Sequence, residues 1–361
     1  MVLRNSIFYI SLLLVLALAV SCSSERGIKK GDQYAAVMEY YEAAREYKKA
    51  YRKIPPKNRE LRAVVAWKLG ECYRKCNNAV RAVGAYQNAV RYGYPDSMAI
   101  LYLADAQLEK GDYRAAQLNY EAFLAMAPES RMAQIGHRSA MQSADWKNNP
   151  NRYIVKKSRE LNGQRSDMCP MYVGEDTTMI ITTSTRKEAT GEDLSGITGQ
   201  KSADMFITKR DEKGRWQQTE KIESEINSEF EEGACCFTPD GKGMYFTRCV
   251  TDDHYPRFAA IYKSNRSDAS WSKPEQVLIS SDTLSVYAHP AVSPDGNWLY
   301  FTSNMAGGSG GLDLWRFYIG ASRALEGIVE NLGPGINTEG DEQFPTFGPQ
   351  GELFFSSDGY P

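Results

Sequence analysis

The stretch His289-Pro-Ala-Val-Ser-Pro-Asp-Gly-Asn-Trp-Leu-Tyr-Phe-Thr-Ser-Asn304, with its sequel Gly310-Gly-Leu-Asp-Leu-Trp-Arg-Phe317, decides how the second half of the chain is read. Two runs rich in β-branched and aromatic residues flank Pro294-Asp295-Gly296, a turn in which Pro presets φ and Gly permits φ > 0. The unit recurs. Cys236-Phe-Thr-Pro-Asp-Gly241 precedes Met244-Tyr-Phe-Thr247, so Pro239, Asp240 and Gly241 form the matching turn. Thr346-Phe-Gly-Pro-Gln-Gly351 precedes Leu353-Phe-Phe-Ser-Ser357, and a degenerate copy, Met171-Tyr-Val-Gly-Glu-Asp176, precedes Met179-Ile-Ile-Thr-Thr183. Asn162, Asn227, Asp282 and Asn337 each lie eight residues before Pro170, Cys235, Pro290 and Pro345, at steps of 65, 55 and 55 residues. The ten extra residues of the first step fall in a polar loop, Arg186 to Ser202. A period near 50 with about four strands per unit is the signature of propeller blades.

Lys29 to Trp146 has a different character, with apolar residues at helical spacing and abundant Ala and Tyr. One pattern occurs three times: Gly31, Tyr34, Ala43, Tyr47, Ala50 and Pro55; Leu69, Gly70, Tyr73, Ala82, Tyr86, Ala89 and Pro95; Leu103, Ala104, Ala116, Tyr120, Phe123 and Pro128. It resembles the tetratricopeptide repeat, a helix–turn–helix unit. Gly70, Ala82 and Ala116 let paired helices approach, while Tyr73, Tyr86 and Tyr120 fill the space between them. Pro55 to Arg62 reads as a longer loop between the first two repeats, and Glu129 to Trp146 as a solvating terminal helix. The repeats serve either as a concave surface for a protein partner or as a stalk.

The first residues read as a leader. Arg4 precedes the apolar run Ile7 to Val20, too short to span a bilayer comfortably, and Ala19-Val20-Ser21-Cys22 supplies small residues before a cysteine. This resembles a bacterial lipobox, which implies cleavage after residue 21, acylation of Cys22 and an oxidising compartment. Residues 22–28 then read as a tether, 29–147 as the repeat domain, 148–151 as a linker and 152–361 as the propeller. Tyr153-Ile-Val-Lys-Lys157 resembles Gly327-Ile-Val-Glu330 and reads as a fourth strand ahead of the first blade. The expected architecture is an α + β multidomain chain: a helical solenoid, then about three and a half blades. A propeller of that size cannot close, so the sequence reads as part of a longer protein.

Charge divides at the linker. The helical part carries about 21 basic and 14 acidic residues, roughly +7, and the blade part about 21 and 31, roughly −10. Lys48-Lys49, Arg52-Lys53, Lys57 and Arg59 cluster at the end of the first repeat, as a solvated face or as a docking patch for an acidic surface. Of the remaining cysteines, Cys72 and Cys76 are one helical turn apart, a poor geometry for pairing, whereas Cys235 or Cys236 and Cys249 sit on adjacent strands, as a disulfide or as buried thiols. The histidines (His137, His254, His289) are scattered, and no zinc spacing, cofactor motif or catalytic constellation is present. Gly307-Gly-Ser-Gly-Gly311 satisfies G-x-S-x-G, but that motif needs a helix after it, and here a strand follows. Asp204 and Asp313, ahead of third strands, read as caps on loop N–H groups in preference to cation ligands. Asp96-Ser97-Met98 and Asp282-Thr283-Leu284 match a short bacterial O-glycosylation pattern.

The order of lipobox, tetratricopeptide repeats and TolB-like blades resembles outer-membrane lipoproteins of Bacteroidetes, among them the PorE-type components of type IX secretion. In that family an OmpA-type peptidoglycan-binding domain follows the propeller; it is absent here. The resemblance implies a non-catalytic periplasmic scaffold, lipid-anchored to the outer membrane. Its partners would be proteins of an envelope assembly; peptidoglycan would be reached only through a domain not in this chain, and nucleic acid is not a partner. The alternative is a propeller accessory of a periplasmic hydrolase or carbohydrate-uptake system.

Overall fold

A computed structural model describes residues 24–174, 176–190, 194–250, 258–267 and 270–360. Cys22, the leader and His254 lie outside the described residues. The chain divides into two units: Met1–Tyr153 with Ser195–Gly199 and Pro361, and Ile154–Leu194 with Gln200–Tyr360.

The first unit is built of antiparallel helices. The described part of α1 covers 24–36; α2 is Tyr40–Lys53, α3 Arg59–Lys75, α4 Ala79–Tyr92, α5 Met98–Lys110, α6 Tyr113–Leu124 and α7 Arg131–Asn148. Asn58, Asn78 and Ser130 cap α3, α4 and α7 by accepting from the N–H three residues on, and Gly93 and Gly111 end α4 and α5 in the left-handed conformation. The aromatic and small residues of the repeat pattern meet inside each hairpin. Tyr86 is fully buried against Gly70, where an added Cβ would lie 2.4 Å from the ring, and Tyr47 sits likewise on Gly31. Ala82 and Ala116 are buried at the helix contacts, while Tyr73 packs half-buried between two clusters.

Two boundaries differ from the sequence reading. Residues 24–28 belong to α1 instead of a tether, and Ser24 is already buried. The extra residues before the second repeat lengthen α3 at its start, because Asn58 supplies an N-cap and Arg59 to Arg62 continue the helical spacing; the loop is only Ile54 to Asn58.

The second unit holds three four-stranded antiparallel sheets and a two-stranded one among its described residues. The first contains β1 (Asp167–Val173), β2 (Asp176–Ser184), β3 (Asp204–Lys209) and β4 (Glu220–Lys221) in sequential order. The second contains β5 (Glu231–Phe237), β6 (Gly243–Val250), β7 (Phe258–Asn265) and β8 (Glu275–Gln276). The third contains β9 (Tyr287–Val292), β10 (Trp298–Ser303), β11 (Asp313–Tyr318) and β12 (Val329–Asn331); β13 (Glu342–Phe347) pairs with β14 (Leu353–Ser357). Successive sheets stack face to face. Ile181, Met205 and Ile226 pack with Cys235, Met244 and Phe246 between the first two. Cys236, Tyr245 and Ile261 pack with Leu299, Phe301 and Trp315 between the second and third. This is the way propeller blades bury both faces.

Tyr153 to Lys157 is not a strand. It pairs with nothing among the described residues, with Ile154 and Val155 largely exposed, because each four-stranded sheet already has its own outer strand in β4, β8 or β12. No disulfide joins the cysteines among the described residues, and the register explains it: Cys249 stands opposite Glu231, while Cys235 and Cys236 face Phe246 and Tyr245.

Two Asn residues of the eight-residue offset stitch one sheet to the next, whereas Asn162 accepts from Ser158 N–H in its own turn. Asn337 Oδ1 accepts from Leu314 N–H at 2.8 Å and its Nδ2 donates to Leu314 O at 3.0 Å, so the amide acts as a surrogate strand residue for β11. Asn227 does the same for Met205 on β3. Asp282 has no amide hydrogens to donate and instead accepts from Leu284 and Ser285 in its own turn.

Gly70→Ala destabilises by about 1–3 kcal/mol although Ala is the better helix former, because its Cβ collides with Tyr86. Gly84→Ala in α4, where nothing lies within 4 Å of the new Cβ, stabilises by about 0.5–1 kcal/mol. Equal signs for the two in urea denaturation would contradict the hairpin packing. Asn337→Ala leaves buried Leu314 N–H without its acceptor, while Leu314 O keeps Leu332 N–H, and costs about 1–3 kcal/mol by the same measurement.

Candidate interaction surfaces

In the helical unit the first helices of the repeats, α1, α3 and α5, are linked by polar side chains. Each repeat contains a tyrosine that donates to a carboxylate fifteen residues earlier: Tyr47 to Asp32 at 2.6 Å, Tyr86 to Glu71 at 2.5 Å and Tyr120 to Asp105 at 2.6 Å. Lys68 on α3 also reaches Asp32 at 2.5 Å, and Arg74 reaches Glu71 at 2.8 Å. Arg74 in turn lies over the Tyr102 ring on α5, 4.5 Å from its centre. Beside this row Trp67 is sandwiched between Tyr94 and Tyr102, at centroid distances of 4.8 and 5.7 Å and nearly parallel to both. The three rings are half-buried. The tyrosines are held un-ionised by burial first and by their carboxylate neighbours second in Tyr86 and Tyr120.

Sequence reading found the tyrosines and small residues but not their acids, although the fifteen-residue interval is visible once sought. Ala104 at the third small position is fully buried in the same cluster as Tyr120. A second residue must be small against that ring, Gly136 on α7, where a Cβ would sit 2.3 Å from it.

In the sheet unit the closing ends of β1, β5, β9 and β13 line an open cleft of about 580 Å³, rimmed by Gly174, Pro239, Pro294 and Pro349. Its lining is apolar apart from backbone, Thr and Ser groups; Tyr172 and Cys236 are its only ionisable side chains. Burial pushes the Cys236 thiol up to about 12, which keeps it protonated and unreactive at neutral pH. The turns beneath the rim consume their own acids. Asp295 Oδ1 accepts from Ser293 Oγ and from Asn297 N–H, and Gly296 stands at φ 73°. Asp240 accepts from Thr238 Oγ1 and Lys242 N–H, with Gly241 at φ 68°. These bonds hold both carboxyls below the usual range.

Asp313 caps its loop as the sequence suggests, accepting from Ser309 N–H at 2.6 Å and Gly310 N–H at 3.1 Å. Asp204 accepts from Thr190 N–H and Oγ1 and from Lys221, so a lysine ammonium stands where a cation would. Ser309 lies in an exposed loop that leads into β11, not into a helix, and so lacks the strand–turn–helix elbow of a hydrolase. Among the described residues no group of three or more His, Cys, Asp or Glu is placed to hold a metal. No described helix is long and apolar enough to cross a membrane.

Each inner strand bulges near the residue before its counted position, and Cys169, His289 and Phe344 there have φ of 50–54°. Pro170, Pro290 and Pro345 follow them and have no N–H for the ladder. His289 stacks on Phe344 at 3.8 Å, with its Nδ1 buried and unbonded.

No family model matches the chain, and no curated protein does. Solved structures match in parts. The C-terminal tetratricopeptide domain of an FK506-binding protein from Plasmodium falciparum aligns with 37% of this chain and 95% of its own, at 14% identity and TM-score 0.34. The first such domain of RPAP3, solved with an HSP90 peptide, covers 35% of this chain and 95% of its own, at 21% identity and TM-score 0.30. TolB from Acinetobacter baumannii aligns with 54% of this chain at 17% identity and TM-score 0.34, and the match spans 38% of TolB.

Burial pushes His289 down to about 4. Between pH 6.5 and 4 the unfolded chain therefore binds a proton that the fold resists, so this residue makes stability fall as pH falls through that window. Glu232, pushed up to about 7 by burial against the opposing Ser228 and Arg248, acts with the opposite sign as pH rises. The difference between wild type and His289→Asn, which tolerates the positive φ, isolates the histidine. That difference grows in favour of the variant below pH 6.5, checked by denaturation at pH 4.5 and 7; a constant difference contradicts a buried neutral imidazole.

Proposed function

We propose that this chain is a non-catalytic scaffold that displays two protein-binding units at the periplasmic face of an outer membrane, anchored by acyl chains on Cys22. Its place is within an envelope assembly such as a type IX-like secretion machine, with peptidoglycan contact left to a domain outside this chain. The observation that carries this reading is the commitment of the repeated polar groups. Asp32, Glu71 and Asp105 are bonded to tyrosines, Asp240 and Asp295 to their turns, and Asp313 to its loop. A catalytic acid, base or nucleophile needs a free valence aimed at substrate. What these surfaces leave open is aromatic edge on the helical unit and an apolar cleft on the sheet unit, features suited to binding.

The anchor and the scaffold are tested in the cell of origin. Cys22→Ala moves the protein from the membrane to the soluble fraction, and affinity capture of the wild type from detergent extract recovers envelope proteins. Trp67→Ala, which opens the Tyr94–Trp67–Tyr102 stack, lowers that recovery at least tenfold while leaving fractionation unchanged. A Cys22→Ala variant that stays on the membrane defeats the anchor, and undiminished capture by Trp67→Ala defeats the helical site.

A further inference from the structure

The end of the helical unit at which the chain enters is also its most basic end. α1 and α2 run antiparallel, with an added Cβ on Gly27 lying 3.2 Å from Ala50. Ser24, nearly one turn earlier, therefore lies alongside the close of α2 at Ile54. α3 begins and α4 ends at the same place. Arg62 Nη1 donates to Ile54 O at 2.7 Å, and Arg59 Nη2 donates to Arg91 O at 2.8 Å.

Three guanidiniums converge there on one ring. Arg59, Arg62 and Arg91 lie 5.5, 5.1 and 4.8 Å from the centre of Tyr92. Their acceptors are neutral: the carbonyls of Arg91 and Ile54, the Asn88 amide and the Tyr92 hydroxyl. Among the described residues none of the three pairs with a carboxylate, and Arg62 Nε is buried with no partner. The last turn of α2 adds Arg52 and Lys53, and Lys57 follows; Glu60 is the sole acid from Arg52 through Arg62. The ring and the helix-end carbonyls tolerate the crowded charge, but donors remain for an incoming oxyanion. The extra turn of α3 that carries Arg59 and Arg62 is what completes this end.

Cys22 is two residues from Ser24, at most about 7 Å of chain. An acylated Cys22 would hold the basic end against the leaflet that takes the acyl chains. We propose that the Arg59–Arg62–Arg91 end binds the phosphates of anionic phospholipid headgroups in that leaflet and sets the helical unit end-on to the membrane. The proposal rests on the anchored reading above. An acyl chain with a basic patch is also the two-signal combination that makes anchoring stable.

The chain from Ser23 onward, which keeps every described helix and sheet and carries no acyl chain, is sedimented with vesicles. It binds phosphatidylcholine vesicles containing about 30% phosphatidylglycerol and not pure phosphatidylcholine, and about 0.5 M salt abolishes the binding. Arg59→Gln/Arg62→Gln/Arg91→Gln weakens it at least tenfold. The exposed single change Arg91→Gln weakens it severalfold and guards against misfolding of the triple variant. Arg131→Gln/Arg138→Gln/Lys147→Gln on α7 leaves it intact. Equal binding to neutral vesicles, or an unaffected Arg91→Gln and triple variant, overturns the proposal. Uptake of inorganic phosphate or of polyglutamate in calorimetry, without vesicle binding, overturns it in favour of a free oxyanion or an acidic protein. Because no acyl chain is used, a negative result here leaves the Cys22 anchor standing, and a negative Cys22→Ala fractionation leaves the vesicle result standing.

Discussion

The sheet unit depends on how a third strand finds partners at its inner end. Between β11 and β13 the chain must turn from one sheet to the next, and Leu314 N–H would be stranded there, its C=O held by Leu332 N–H alone. Asn337 supplies one acceptor and one donor in the spacing of a backbone residue, and so closes β11 while fixing where β13 begins. Leu312 O then accepts from Glu342 N–H, the first ladder group of the next sheet. Thr183, Thr247 and Thr302 add a matching bond across each junction, to Gly233 O, from His289 N–H and to Glu342 O. A buried polar pair left half-made costs more than the intact bond contributes, so these junctions hold the spacing of the whole stack.

The helical unit solves the same problem with a different residue. A fully buried tyrosine fills the space between paired helices, and its hydroxyl must be satisfied there. The carboxylate fifteen residues earlier accepts it in every repeat. Lys68 and Arg74 then balance two of those carboxylates from α3, so the row joins neighbouring repeats as well as closing each one. The first helices are thereby tied side by side, and Trp67 is clamped between Tyr94 and Tyr102 on rigid supports.

Much of this was legible before the coordinates. The turn triplets Pro239 to Gly241 and Pro294 to Gly296, the repeat tyrosines and the capping role of Asp313 follow from short-range chemistry, which a sequence displays directly. The eight-residue offset from Asn337 to Pro345 was visible as a count, but its two ends do separate jobs, an amide clamp and a bulge without an N–H. Long-range facts were hidden. Tyr153 to Lys157 has a strand's composition yet finds no edge, since pairing depends on what a sheet already holds. The lengthened start of α3 was mistaken for a loop because a repeat offset gives the number of extra residues and not their conformation. Gly136 escaped because the small residue facing Tyr120 comes from the following helix.

That hidden geometry changes what the basic residues mean. In the sequence, Lys48 to Arg59 is a charge run, and a charge run is usually a solvated face. Folding separates it. Lys49 turns back to Glu46, while Arg59 is brought beside Arg62 on α3 and Arg91 on α4, around the Tyr92 ring. Like charges gathered by two separate helices are not spread by solvent in the way a linear run is; they add into a local potential that an anion feels over roughly a Debye length. The same antiparallel pairing of α1 with α2 that buries Ser24 also brings the entering chain to that potential. One helix-packing rule therefore decides both where the chain begins its fold and which charge it meets there.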